Sequence, residues 1–376
     1  MRSRSSWRGR GLAGLAAAVV VAVGPVGGVA GAVAAPRAAA AVGPAAVGSA
    51  AVVPAVDREV RFVADGTTAY GTVHVPAHRA GRRLAAALLI PGSGPTDRNG
   101  DEPPGLTPHT LALLAGALGG DGVMTLRFDK YGTGRTGLGG RHRAPDMAAY
   151  TRQAVAAYDT LRAQPEADPR ALLVVGHSEG GLQALLVDRA VRAKPAGLAL
   201  LAPQDVRLLD MVGFQVADGL DRAVRAGRLS PEQAASNKKG VARAVADFRD
   251  GRPVDTSGLL PPVAAFLGGM FGPVNADFVR SDDALYPPAV ARGVAPGTRT
   301  LVTCGTADAN VPCRTVPALL SGLAAARTTG PGLRVLPGLD HLLHRAGTPA
   351  GEPVLAPAAR RALHGFVRPW RQGAVD

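Results

Sequence analysis

The chain has 376 residues, of which 47% are hydrophobic and 19% charged, a composition that excludes wholesale disorder. Its 49 glycines follow no every-third-residue period, which excludes a collagen-like repeat, and two cysteines exclude a disulfide-dense scaffold and a four-cysteine zinc site. A net charge of +13 leaves anionic partners to be tested against the motifs.

Arg2, Arg4, Arg8 and Arg10 precede an apolar run over residues 11–23, the order of charged and hydrophobic regions in a secretory signal. Ala32-Val33-Ala34 supplies a small-residue cleavage site, giving a signal peptide over 1–34 and a secreted protein with no stable membrane insertion after cleavage. A retained anchor is the competing reading, weakened by Pro25 and the surrounding glycines. Residues 35–56 form an Ala/Pro-rich linker. Losing residues 1–34 removes four arginines and no acids, so the charge falls from +13 to +9. The remaining basic residues are dispersed, with no zinc-finger spacing or basic-aromatic interleaving, and no nucleic-acid partner is expected.

From residue 59 strands and helices alternate. Strands over 59–64 and 68–75 flank Asp65-Gly66, which has hairpin-turn chemistry. The continuous apolar run 84–90, ended by Pro91-Gly92, reads as a strand buried on both faces. A helix over 107–118 follows, with Thr107 and Pro108 at its N-cap and first position. Next come a strand over 123–128, a Gly-rich loop to 140, a helix over 147–164, a strand over 171–175, a helix over 180–191 and a strand over 197–201. Residues 208–290 interrupt the rhythm with helical pieces at 222–226, 230–246 and 263–270, an insertion packed over the sheet. The alternation resumes with strands over 299–304 and 333–336 around a helix over 315–326, and a last helix covers 360–369. This order predicts a mostly parallel central sheet flanked by helices.

Gly176-His177-Ser178-Glu179-Gly180 lies between the apolar strand and a helix, the setting that a sharp nucleophile-bearing turn requires. A serine hydroxyl needs a base to take its proton and an acid to orient the base. Asp308, just past the strand over 299–304, is the candidate acid; His341, after the last strand, is the candidate base, with His344 its rival. The side chain of His177 is expected to point away from the serine. An oxyanion site needs two N–H donors: the Glu179 amide is one, and the loop Pro91-Gly92-Ser93-Gly94-Pro95 supplies the other, from Ser93 or, next, Gly94. That loop is no phosphate cradle, because no Gly-Lys-Ser/Thr follows it, and none of the motifs calls for a cofactor or a metal.

The segments Pro91-Gly92-Ser93-Gly94-Pro95-Thr96-Asp97-Arg98-Asn99-Gly100, Arg127-Phe128-Asp129-Lys130-Tyr131-Gly132-Thr133-Gly134 and Gly176-His177-Ser178-Glu179-Gly180-Gly181 together resemble bacterial α/β-hydrolases of the serine esterase/serine aminopeptidase-like group. The likeness runs from about Glu59 to the C-terminus. It implies an α/β-hydrolase core over 57–207 and 291–376, with a helical cap over 208–290 inserted after the sixth strand. It also implies a triad of Ser178, Asp308 and His341. Pro91 stands where many relatives carry His, and Tyr131 and Thr136 where Arg and Ser are frequent.

Cys304 and Cys313 bracket Asp308, and an exported chain meets an oxidising compartment, so a disulfide is expected there; two reduced, buried thiols are the alternative. The function expected is a secreted serine hydrolase acting on small carboxylic esters through an acyl-enzyme, with the apolar stretch 259–271 lining the acyl pocket. An aminopeptidase or thioesterase could use the same triad, the former requiring acids such as Glu179, Asp282 or Asp283 for a substrate ammonium. A non-catalytic binding protein could also retain the fold.

Overall fold

The chain enters its sheet through a hairpin, β1 (Val56–Ala64) and β2 (Thr67–Val75), paired antiparallel with Ala64 opposite Thr67. Asp65 and Gly66 both take positive φ, 47° and 72°, as a two-residue turn matched to the strand twist requires. This computed structural model describes residues 51–102, 105–349 and 353–371. The expected signal peptide, its cleavage site and residues 35–50 of the linker lie outside the described residues. Among the described residues no helix is long and apolar enough to cross a membrane.

The remaining strands of the sheet are β3 (Leu84–Ile90), β4 (Met124–Phe128), β5 (Ala167–His177), β6 (Gly197–Leu201), β7 (Arg299–Gly305) and β8 (Thr329–Leu336). They lie in the spatial order β8-β7-β6-β5-β3-β4-β2-β1. Every neighbouring pair from β8 to β4 is parallel; β2 joins β4 antiparallel. Every residue of β3 and β6 is buried, which is why these segments read as unbroken apolar runs rather than alternating ones.

One face of the sheet is covered by α1 (Thr110–Gly120) and α10 (Pro357–Val367), through Leu111, Leu114, Leu118, Leu363 and Phe366. The other face carries α2 (Met147–Arg162), α3 (Glu179–Ala190) and α9 (Val316–Ala325). Five helices stand between β6 and β7: α4 (Leu208–Arg225), α5 (Pro231–Arg249), α6 (Pro261–Phe271), α7 (Ala276–Asp283) and α8 (Pro287–Ala291). Their buried residues, among them Val212, Phe248, Leu267 and Val279, join the core of that same face. Ser230 starts α5 with a reciprocal capping box to Gln233.

The start of α1 departs from the sequence reading. Thr107 and Pro108 do not cap it; the residue before the helix is His109, at φ 51°, and no side chain caps the first turn. The free amides of Leu111 and Ala112 instead donate to Asn99 O at 2.9 and 3.1 Å, and the His109 amide donates to Asp101 Oδ1 at 2.7 Å. A loop ten residues upstream thus does the work that a local N-cap usually does.

The spatial order reverses around β3 and β5, and loops leaving the carboxyl ends of those adjacent strands open the crevice where such sheets place their chemistry. The two exits come so close that a Cβ on Gly180 would sit 2.6 Å from Pro91 O, and one on Gly176 would overlap the Gly180 carbonyl. Backbone atoms cannot yield as a flexible side chain can. Gly180→Ala is therefore expected to destabilise the protein by at least about 3 kcal/mol in denaturant unfolding; parent-like stability would contradict this packing.

Candidate active site

Ser178 closes β5 and opens α3 with φ 58° and ψ −124°, a backbone conformation that L-residues avoid and that aims the side chain out of the turn. Asp308 lies in the loop after β7, where its Oδ1 accepts from the amides of Asn310 and Val311, both at 2.8 Å. Its Oδ2 faces His341 Nδ1 at 2.9 Å, and His341 Nε2 faces Ser178 Oγ at 2.9 Å. The carboxylate selects the imidazole tautomer with its proton on Nδ1, leaving the Nε2 lone pair to accept from the serine hydroxyl. The structure thus brings Ser178, His341 and Asp308 into one hydrogen-bonded chain.

The electrostatics follow from burial and from that pairing. Burial pushes the Asp308 carboxyl up, but the His341 charge and hydrogen bond and the two backbone amides outweigh it and hold the group below its usual range. Burial also pushes His341 down, and the Asp308 charge and hydrogen bond more than reverse this, leaving the imidazole above its ordinary value. A base poised above its ordinary pKa is a stronger proton acceptor once it is neutral.

His177 does not point away from the site, as its position beside the serine suggested. Its ring lies 5.0 Å from that of His341, and Nε2 donates to His341 O at 2.8 Å. Burial, followed by the nearby His341 charge, lowers its pKa to about 4, so it acts as a neutral donor that fixes the backbone of the loop bearing His341. His344, the rival base, is buried with Nε2 unpartnered, and its amide donates to Asp340 Oδ1 at 3.0 Å; it does not meet Ser178.

The expected oxyanion donors flank the serine. A Cβ on Gly92 would lie 3.2 Å from Ser178 Cβ, which places the Gly92–Ser93 peptide against the turn. Glu179 N–H is the first amide of α3, where the helix dipole adds a positive field. Among the described residues neither the Ser93 nor the Glu179 amide donates to another protein group. The loop after β3 is tied to the loop after β4: Arg98 grips Asp129 through Nε and Nη2 at 3.0 and 2.6 Å, and the amides of Arg98 and Arg135 donate to the same carboxylate at 3.0 and 2.9 Å. Lys130 Nζ donates to Gly92 O at 2.7 Å, and Thr96 Oγ1 donates to Ser93 O at 2.9 Å.

Residues 107–244 match the family model described as serine aminopeptidase, S33. Among solved structures, the chain is similar to an esterase of Pyrococcus furiosus, with TM-score 0.53 and 14% identity, covering 84% of this chain and 91% of that one. A hydrolase, GrgF, from Penicillium sp. sh18 matches with TM-score 0.52 and 17% identity over 84% and 99% of the two chains. GrgF is described as an α/β-hydrolase. The protein has the α/β-hydrolase fold. Est1E from Butyrivibrio proteoclasticus, solved with ferulic acid, shares this fold at TM-score 0.51 and 16% identity, over 83% and 98% of the chains. No curated protein is a detectable relative.

On this fold Cys304 and Cys313 form the expected disulfide, with Cα atoms 5.4 Å apart. It closes the loop that carries Asp308, which in the chain-entropy account stabilises by about 2.5–3 kcal/mol. The acids considered for an ammonium site are engaged elsewhere. Asp283 is held by Arg249 Nε and Nη2 at 2.8 and 2.9 Å and accepts from the Leu209 amide. Asp282 is fully buried and accepts from Gln204 Nε2 at 2.7 Å. Glu179 is buried beside Lys130. Among the described residues no cluster of potential metal ligands occurs.

Sequence reasoning missed Asp205, which follows β6. It is fully buried, accepts from Thr315 Oγ1 at 2.8 Å, and leaves Oδ1 unpartnered. Burial pushes its pKa up to about 7, and the Asp308 charge adds to the rise. An acid raised on folding is accommodated without cost below its unfolded value near ~4 and costs stability as pH climbs from there through the folded value. Asp205→Asn is therefore expected to be more stable than the parent at pH 8 and equal to it at pH 4 by thermal unfolding. A gap that widens toward acid would contradict the assignment.

Proposed function

We propose that the protein is a secreted serine hydrolase that cleaves carboxylic esters through an acyl-enzyme. The observation that carries this reading is the unbroken chain from Asp308 through His341 to Ser178, with both links at 2.9 Å. Ser178 Oγ attacks the carbonyl carbon while its proton passes to His341 Nε2. Asp308 holds the imidazole and stabilises the imidazolium. The Ser93 and Glu179 amides receive the developing oxyanion. The tetrahedral adduct expels the alcohol, which takes the proton from His341, and water then repeats the sequence on the acyl-enzyme, restoring the serine and releasing the acid.

Several observations support an ester over a peptide N-terminus. An aminopeptidase holds its substrate ammonium on free carboxylates, yet Asp283 is committed to Arg249, Asp282 is enclosed and bonded to Gln204, and Glu179 faces Lys130. Two of the similar structures bear on ester chemistry, one described as an esterase and the other holding ferulic acid. The disulfide supports export to an oxidising compartment, in keeping with the signal read in residues 1–34. Helices α4 to α7 form the cap in this reading, and the part-exposed apolar residues of α6, Phe266 and Phe271, are suited to contact the acyl chain.

Short p-nitrophenyl esters are expected to be substrates, and Ser178→Ala is expected to lower kcat by about 10⁶; turnover that survives this change would dismiss Ser178 as nucleophile. Because His341 must be neutral to accept the proton, kcat/KM should fall as pH drops through a value above the ordinary ~6.5 of histidine. Asp308→Asn removes the charge that raises it. This variant should shift the acid limb to lower pH and reduce kcat by about 10⁴. An unmoved limb would separate Asp308 from the base.

A further inference from the structure

We propose that Lys130 is a positioning residue that braces both halves of the oxyanion site. This rests on the ester-hydrolase reading above. Lys130 belongs to neither oxyanion segment; it lies two residues past the end of β4, and its side chain is 5% exposed. Its ammonium donates to Gly92 O at 2.7 Å, lies 3.6 Å from Glu179 Oε1, and sits over the Tyr150 ring at 5.0 Å. One buried cation therefore touches the peptide that precedes the Ser93 amide and the side chain of the residue that supplies the other amide.

The first contact sets a direction. The Gly92 carbonyl and the Ser93 N–H belong to one planar trans peptide and leave it on opposite edges. Holding the oxygen against Lys130 turns the N–H to the other side, where no described protein group takes it. The brace has something to restrain, because Gly92 has no side chain to limit the rotation of that peptide. Thr96 acts on the next peptide, donating to Ser93 O at 2.9 Å. The second contact fixes Glu179: neither of its carboxylate oxygens accepts a hydrogen bond, so its buried charge is anchored by the Lys130 ion pair. Asp282 is raised well above the carboxylate range, by burial first and then by the Glu179 charge. An ammonium costs several kcal/mol to bury, and a methionine of similar length would fill the space without that cost. What methionine lacks is the donor aimed at Gly92 O.

The test is Lys130→Met in the full chain, measured with a p-nitrophenyl ester and with a trifluoromethyl ketone, whose hemiketal oxyanion occupies the same site. Losing a well-placed oxyanion donor costs about 10²–10³ in kcat, so kcat should fall by roughly 100-fold with KM changed less than about threefold. The ketone should bind more weakly in proportion to kcat/KM. Parent-like kcat, or a loss confined to KM, would overturn the proposal. Lys130→Met combined with Glu179→Gln removes the orphaned carboxylate and carries the same test if the single variant does not fold. The crystal structure of the variant reads the brace without turnover. A displaced Gly92–Ser93 peptide supports it and an unmoved peptide overturns it, whereas a parent protein inert toward esters falls on the ester reading alone.

Discussion

Everything at the site depends on how closely β3 and β5 leave the sheet. Ser178 is held at φ 58°, a conformation that costs a non-glycine residue about 1–3 kcal/mol and persists only where the surroundings impose it. What imposes it is backbone against backbone. Gly176 and Gly180 have no room for a Cβ because the Gly180 carbonyl and Pro91 O occupy those places, and a Cβ on Gly92 would crowd Ser178 Cβ at 3.2 Å. The same approach that strains the serine sets the oxyanion loop beside it. Strain and pre-organisation are one feature of the sheet's central crossing.

Around that crossing the structure adds braces from elements distant in sequence. Asp129 collects Arg98 and the amides of Arg98 and Arg135, so the loops after β3 and β4 behave as one unit. The Asn99 carbonyl of the same unit receives the free amides of α1. On the far side, Gly305 allows the end of β7 to touch the Leu339 backbone, and Ala307 N donates to Leu339 O at 3.0 Å. The disulfide then closes the Asp308 loop, and His177 ties down the His341 backbone. His341 is thereby held from two sides, by Asp308 at a ring nitrogen and by His177 at its backbone.

What could be read in the sequence was local or ordered. The buried strands showed as apolar runs and the serine turn as glycines between a strand and a helix. Asp308 and His341 were singled out because loops at the carboxyl ends of strands follow one another in a fixed order, and the structure sets the two side chains 2.9 Å apart. What escaped was side-chain direction across long separations. His177 bonds a residue 164 positions away, and whether it faces the site depends on how the last loop folds back. Asp205 reads as a turn residue until β6, β7 and Thr315 enclose it. The start of α1 was misplaced because its amides are satisfied by a loop carbonyl, which leaves no residue-type signature at the helix boundary. The insertion between β6 and β7 was recognised by its broken rhythm, but α7 and α8 were not, being short and rich in polar residues or proline.

In the proposed mechanism His341 and Asp308 make Ser178 a nucleophile. The most direct measurement is labelling of the folded protein with a fluorophosphonate, followed by peptide mass mapping. The adduct is predicted on Ser178 alone, forming readily in the parent and in His344→Ala and being lost in His341→Ala. An unlabelled parent, or labelling that survives His341→Ala unchanged, would contradict it.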